Sequence, residues 1–144
     1  MAKDVVAVAA DHRGFGLKED LKGRLELLGY EVLDLGTEGR ESVDYPDYGH
    51  RMGHVIETGE ACCGVLVCGT GIGISIAANR HPGVRAAVCH DVSTTRLSRR
   101  HNNANVLALG ADVVGAEVAM DCLKAFLETE FEGGRHEPRV EKLG

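Results

Sequence analysis

The feature that most restricts this chain is its rhythm. Short runs rich in Val, Leu, Ala and Cys alternate from end to end with longer stretches whose apolar residues recur at helical spacing. "DVVAVAA" (4–10), "EVLDLG" (31–36), "GVLVCG" (64–69), "VRAAVC" (84–89) and "NVLALG" (105–110) read as five strands. Helices are expected over 15–30, with Gly29 as the stop, over 46–58, from "GISIAANR" onward, over 91–102 and over 115–131. Pro46 is tolerated near the start of the second helix, and Asp91 or Ser93 starts the fourth. The tail "EGGRHEPRVEKLG" is polar and broken by glycine. Continuous apolar strands need cover on both faces, which a parallel sheet with crossover helices provides. Right-handed crossovers then give an α/β fold: a three-layer α/β/α sandwich around a five-stranded, mainly parallel, Rossmann-like sheet. With no repeat, linker or low-complexity block, residues 1–144 are expected to form a single domain.

Charge and cysteine usage narrow the function. A net charge of −6 excludes a general binder of nucleic acid or another polyanion, so any anion site must be local. No apolar run reaches the length of a membrane span, and the charged start "MAKD" leads into a strand instead of a signal peptide, so a cytoplasmic protein is expected. The cysteines at 62, 63, 68, 89 and 122 are odd in number and contain no CxxC pair. They suggest neither a disulfide framework nor a zinc site, and all but Cys68 are expected to be small buried apolar residues. His50 and His54 stand one helical turn apart without a third ligand, and read as a surface feature; no metal is expected.

In parallel sheets ligands bind beyond the carboxyl ends of the strands, so polar residues directly after strands are the functional candidates. Asp11 and His12 follow the first strand, "CGTGIG" the third, and His90 and Asp91 the fourth. His101 and Asn102 are expected in a loop ahead of the fifth strand, and the tail adds Arg135, His136 and Arg139.

Gly69, Gly71 and Gly73 form GxGxG, which differs from the GxGxxG dinucleotide fingerprint because Ile74 stands at its last position. No Walker lysine follows. Such a turn serves either to gather backbone amides around an anion or simply to make a tight strand–helix connection. Cys68 at its lip faces the start of a helix, where a thiolate is favoured, although a buried packing role is the alternative. With the Thr70 hydroxyl two residues on, base and amides together suit proton abstraction beside a carbonyl, whose enediolate carries charge on oxygen. His12, Arg135 and Arg139 could grip a phosphate through charge-assisted hydrogen bonds, or be ordinary surface charges.

"DHRGFGLKEDL", "DYPDYG", "VLVCGTGIGISIAANR", "RLSRRHNNANVLALG" and "EGGRHEPRV" resemble the ribose-5-phosphate isomerase B family, within the wider group that includes galactose-6-phosphate isomerase subunits. The resemblance covers almost the whole chain, and it implies an aldose–ketose isomerase of a small sugar phosphate. On that resemblance Cys68 is the base between C1 and C2, Thr70 moves protons on the substrate oxygens, and the amides of Gly69, Thr70, Gly71, Ile72 and Gly73 hold the enediolate. Some members use instead a Glu further along the turn, where this chain has Ala and Asn. His101 assists ring opening, Asp11 supports substrate hydroxyls, His12, Arg135 and Arg139 contact phosphate, and Asn102 and Tyr45 contact substrate. The family implies no metal or organic cofactor. It also implies a homodimer whose sites draw on both subunits, or a higher homo-oligomer.

One position departs from the pattern. Asp112 stands where relatives carry an Arg able to contact phosphate, so it either repels a phosphate or turns away to pair with a nearby Arg. The expected reaction is the interconversion of D-ribose 5-phosphate and D-ribulose 5-phosphate. The alternatives are the same chemistry on allose or galactose 6-phosphate, and a non-catalytic sugar-phosphate sensor.

Overall fold

The structure is a computed structural model and describes residues 4–144. In chain order it contains β1 (Val5–Ala10), α1 (Phe15–Leu27), β2 (Glu31–Asp34), α2 (Tyr45–Glu57), β3 (Cys63–Cys68), α3 (Ile72–Ala78), β4 (Ala86–Val88), α4 (Val92–Asn102), β5 (Val106–Gly110) and α5 (Ala116–Glu128). A single 3-10 turn, Gly134–His136, and a short helix, α6 (Glu137–Glu141), close the chain. The five expected strands and five expected long helices are all present. Asp91 decides its own competition with Ser93, because its Oδ1 accepts from the Thr94 amide at 2.6 Å and its Oδ2 from the Thr94 hydroxyl at 2.9 Å.

Two expectations at the helix ends need correction. The helix expected over 91–102 holds to its end, and the loop placement of His101 and Asn102 does not: they are the last residues of α4. The helix runs on because the residue that leaves it is Asn103, in the left-handed region at φ 47°, which asparagine tolerates better than most residues. The tail is also more ordered than its glycines suggest, since its 3-10 turn and α6 bring His136 into a buried position.

The strand order is β2-β1-β3-β5-β4, and every neighbouring pair is parallel. Alternation along the strands divides the core. Val6, Val8 and Ala10 point to one side with Leu17, Leu21 and Leu25 of α1 and Leu123 and Phe126 of α5. Ala7 and Ala9 point to the other, against Met52 and Val55 of α2 and Ile74 and Ala78 of α3. The result is the expected α/β/α sandwich. Residues 1–3, which open the charged start "MAKD", lie outside the described residues.

One charge is embedded in this frame. Lys18, on the buried face of α1, is 1% exposed, and its Nζ reaches both Asp34 carboxylate oxygens at 2.9 Å and Glu19 at 2.8 Å. Lys22 adds a 3.1 Å contact to Asp34. Burial alone would raise the Asp34 carboxyl, but hydrogen bonds from Lys18, the Gly36 amide and Lys22 outweigh it and hold the group below its ordinary range. The cluster ties α1 to the end of β2, just where the chain leaves the sheet.

A carboxylate with a depressed folded pKa stabilises above its unfolded value and loses that contribution as pH falls through the folded value. Asp34→Asn leaves Lys18 buried with only Glu19, and is expected to cost about 2 kcal/mol or more near neutrality, discounting for the partial exposure of Asp34. Urea unfolding of wild type and variant across pH checks this: the gap should be widest at neutral pH and close as pH falls through the depressed folded value of Asp34, where the wild-type carboxyl is protonated too.

Candidate active site

Parallel pairing brings the carboxyl ends of β1, β3 and β5 to one edge, with Ala10 opposite Val67 and Cys68 opposite Gly110. Asp11, directly after β1, is 4% exposed, and its Oδ1 accepts from the amides of Arg13 and Gly14 at 3.0 Å each. Asp11 therefore holds the loop that presents His12. The His12 Nδ1 accepts from the Val43 amide at 3.1 Å, which puts the ring proton of the neutral form on Nε2, free to donate outward. His90, after β4, accepts from the Gly110 amide through Nε2 at 3.0 Å and so belongs to the same edge.

Cys68 is the last residue of β3 and is 5% exposed. Its Sγ accepts from the Gly71 amide at 3.1 Å, while Thr70 Oγ1 accepts from the Ile72 amide at 3.2 Å. Of the five amides expected to gather around an anion, those of Gly71 and Ile72 are thus engaged within the turn itself. Among the described residues the amides of Gly69, Thr70 and Gly73 donate to no other part of the chain and stay available. Gly71 is required by its φ of 79° and by the Leu109 backbone, 2.9 Å from where a Cβ would stand. Gly73 admits the Tyr45 ring, which would lie 2.3 Å from a Cβ there. Tyr45, at the first turn of α2, thereby lies over the turn.

Asp112 follows β5 and pairs with Arg13, Nε to Oδ2 3.0 Å, so the departure noted in the sequence resolves as an ion pair. The pair spans Gly69: a Cβ there would meet Asp112 Oδ2 at 3.0 Å and the Arg13 Cδ at 3.3 Å. Arg13 was missed by the sequence reading. Its only signal was a position beside His12 in "DHRG", and its partner lies 99 residues away.

His101, Asn102, Arg135 and Arg139 do not join this edge within one chain. Asn102 borders the opening of β4 and β5, lining a cavity with Asn79, Val84, Arg85, Ala86, Ala104 and Leu143. Ala104 precedes β5, whose far end Gly110 faces Cys68, and that is about 20 Å of extended chain at roughly 3.3 Å per residue. The tail packs there too. The His136 ring stacks on His101 with centroids 4.5 Å apart, and His136 Nε2 stands 3.3 Å from Glu132. Arg135 and Arg139 flank this group on the exposed side of the 3-10 turn and α6. The other histidine pair also sorts differently from its spacing. His50 contacts His81, at 2.9 Å, and His54 is exposed.

Known proteins bear on this geometry. A family profile described as "Ribose/Galactose Isomerase" matches residues 6–143. Ribose-5-phosphate isomerase B of Escherichia coli is 46% identical over 138 residues, covering 96% of this chain and 93% of that protein. A D-erythrulose-4-phosphate isomerase of Pectobacterium atrosepticum is 42% identical, covering 96% and 92%. Among solved structures, ribose-5-phosphate isomerase B of Clostridium thermocellum superposes with a TM-score of 0.96 at 50% identity, over 97% of this chain and 95% of that one.

The turn geometry makes a contrast that thermal melting can measure. Gly71→Ala combines a left-handed backbone with contact against Leu109 and is expected to destabilise by about 2 kcal/mol or more. Gly23→Ala, within α1 and with open space around it, should instead be neutral or stabilise by up to about 1 kcal/mol.

Proposed function

The chain belongs to the ribose/galactose isomerase family, and we infer that it interconverts D-ribose 5-phosphate and D-ribulose 5-phosphate by proton transfer through an enediolate. The observation that carries the assignment of roles is the Gly71 amide donating to Cys68 Sγ at 3.1 Å, which fixes a thiol beside free turn amides. Cys68, as thiolate, removes the proton from C2 of the open-chain aldose and returns it to C1. The amides of Thr70 and Gly73 donate to the enediolate oxygen as its charge develops. The Thr70 hydroxyl moves a proton between the two oxygens. Asp11 supports substrate hydroxyls, and the outward Nε2–H of His12 donates to the phosphate.

The roles of His101, Asn102, Arg135 and Arg139 require a second subunit. Their group stands about 20 Å from Cys68 along the strands, further than any side chain reaches. The proposal is a homodimer in which each Cys68 edge receives His101 for ring opening, Asn102 for substrate contact and both arginines for phosphate, all from the partner. Ile72 and Ile76 on α3, and Val113 after β5, are each about half exposed beside this edge, and they are apolar surface suited to such a contact. The chain acts as one domain. Among the described residues no helix is long and apolar enough to cross a membrane, and the five free cysteines suit the reducing cytoplasm.

Asp112 leaves the substrate with a close competitor. Paired with Arg13, it cancels a positive charge at the lip of the site instead of adding one, and a 42% identical relative is named for a different sugar phosphate. Side-by-side kcat/KM values for ribose 5-phosphate, allose 6-phosphate, galactose 6-phosphate and erythrulose 4-phosphate decide it. Ribose 5-phosphate is expected to lead, and a tenfold or greater preference for another would reassign the substrate.

Two experiments test the mechanism. Cys68→Ser should lower kcat by about 10²- to 10⁴-fold and abolish deuterium exchange from solvent at C2, with sugar-phosphate binding retained. Unchanged turnover would remove Cys68 as the base. Mixing inactive Cys68→Ser chains with His101→Ala chains should restore up to about one quarter of wild-type activity, because half the dimers then hold one complete site. A mixture that stays inactive after verified subunit exchange would place each site within one chain.

A further inference from the structure

The amino end of β3 carries a pair of sulfurs that the isomerase reading does not use. Cys62 and Cys63 are adjacent in sequence with Sγ atoms 3.6 Å apart, and Cys62 is exposed while Cys63 is half-buried. Both line a cavity of about 290 Å³ at the opening edge of the sheet, with Tyr30, Phe126 and Leu127 on one side and a polar side that includes Arg85 and Arg99. The hydrogen bond with Cys63 brings the Cys62 thiol down to about 7, so a nucleophilic thiolate is present near neutrality. The same bond pushes Cys63 upward. Cys63 lies five residues from Cys68 along β3, about 17 Å at roughly 3.3 Å per residue, so this is a separate place from the catalytic edge.

The sulfur separation selects the ligand. Two bonds of about 2.3 Å from sulfurs 3.6 Å apart meet at about 103°, close to tetrahedral. A linear two-coordinate ion would need the sulfurs about 4.6 Å apart. A tetrahedral dication needs further protein ligands. Yet among the described residues the one group of three His, Cys, Asp or Glu with ligand atoms in mutual reach is His101, Glu132 and His136, elsewhere in the fold. A pyramidal centre that brings its own third substituent needs only these two sulfurs.

We infer that Cys62 and Cys63 form a dithiol site for trivalent arsenicals, closed by two As–S bonds with the third substituent of arsenic lodged in the Tyr30–Phe126–Leu127 cavity. With phenylarsine oxide, two As–S bonds form and the As–O bond breaks. Both thiol protons leave with that oxygen as one water, and arsenic stays trivalent, so no oxidant or reductant is consumed. The apolar wall accepts the phenyl ring.

The test is intact-mass spectrometry of the full chain with equimolar phenylarsine oxide. One adduct per chain is expected, resistant to excess monothiol and released by a dithiol. Cys62→Ser and Cys63→Ser should each lose the monothiol-resistant adduct by about 100-fold or more, since the second bond is no longer intramolecular. Cys68→Ser should keep it. Melting curves establish that the variants are folded, and Cys63→Ala serves if the serine variant is not. In wild type, the arsenical should protect Cys62 and Cys63 together from alkylation. Protection of any other cysteine pair, absence of the adduct, or its survival in either single variant overturns the site.

Discussion

The functional edge depends on β3 being paired in parallel on both flanks, in one register. Val67 lies opposite Ala10 and Cys68 opposite Gly110, so the chain leaves β1, β3 and β5 at the same height. Every crossover helix then returns to the opposite edge before the next strand begins. Segments far apart in sequence meet as a consequence: Asp11–His12, the Cys68–Gly73 turn, His90, and Asp112 with its partner Arg13. The same constraint sends the end of α4 to the other edge. A parallel sheet cannot present His101 beside its own Cys68, and this is why the proposed site draws on a second subunit.

Within the turn, the backbone is shared between holding the sulfur and remaining free for substrate. The Gly71 amide is directed at Cys68 Sγ and the Ile72 amide at Thr70 Oγ1, each orienting a side chain proposed to move protons. That division leaves fewer donors for an oxyanion than the glycine count suggests. It also holds the groups proposed to move protons in place before substrate arrives, which would lower the reorganisation that catalysis must supply. The Arg13–Asp112 pair spans the turn at Gly69. Being exposed, it contributes little to stability, and its consequence is the local charge that a phosphate or sugar would meet.

Much of the fold was legible because local and tertiary signals agreed. Apolar runs and helical spacing located every strand and long helix, and the candidates after β1, β3 and β4 do share an edge. The misreadings have specific causes. Polar "HNNAN" pulls two ways, reading both as the end of the 91–102 helix and as loop; α4 continues to Asn102 and turns at Asn103. The tail's glycines hide a 3-10 turn and α6, where His136 is buried and stacks on His101. Cys62 was expected to be buried, yet it lies one residue ahead of β3 and is exposed, since only from Cys63 onward does sheet pairing enclose the chain.

By itself, the sequence determined the layered α/β architecture, the position of Cys68 at a glycine turn and the set of basic residues. These are encoded by periodicity and by short motifs, whose physics is local. Only the tertiary structure decided that Asp112 pairs with Arg13, that the Gly71 and Ile72 amides are already engaged, and that His101 stands on the far side of the sheet from its own Cys68. Those facts depend on strand order and register, which arise from contacts between residues distant in sequence and leave no mark in any single stretch of it.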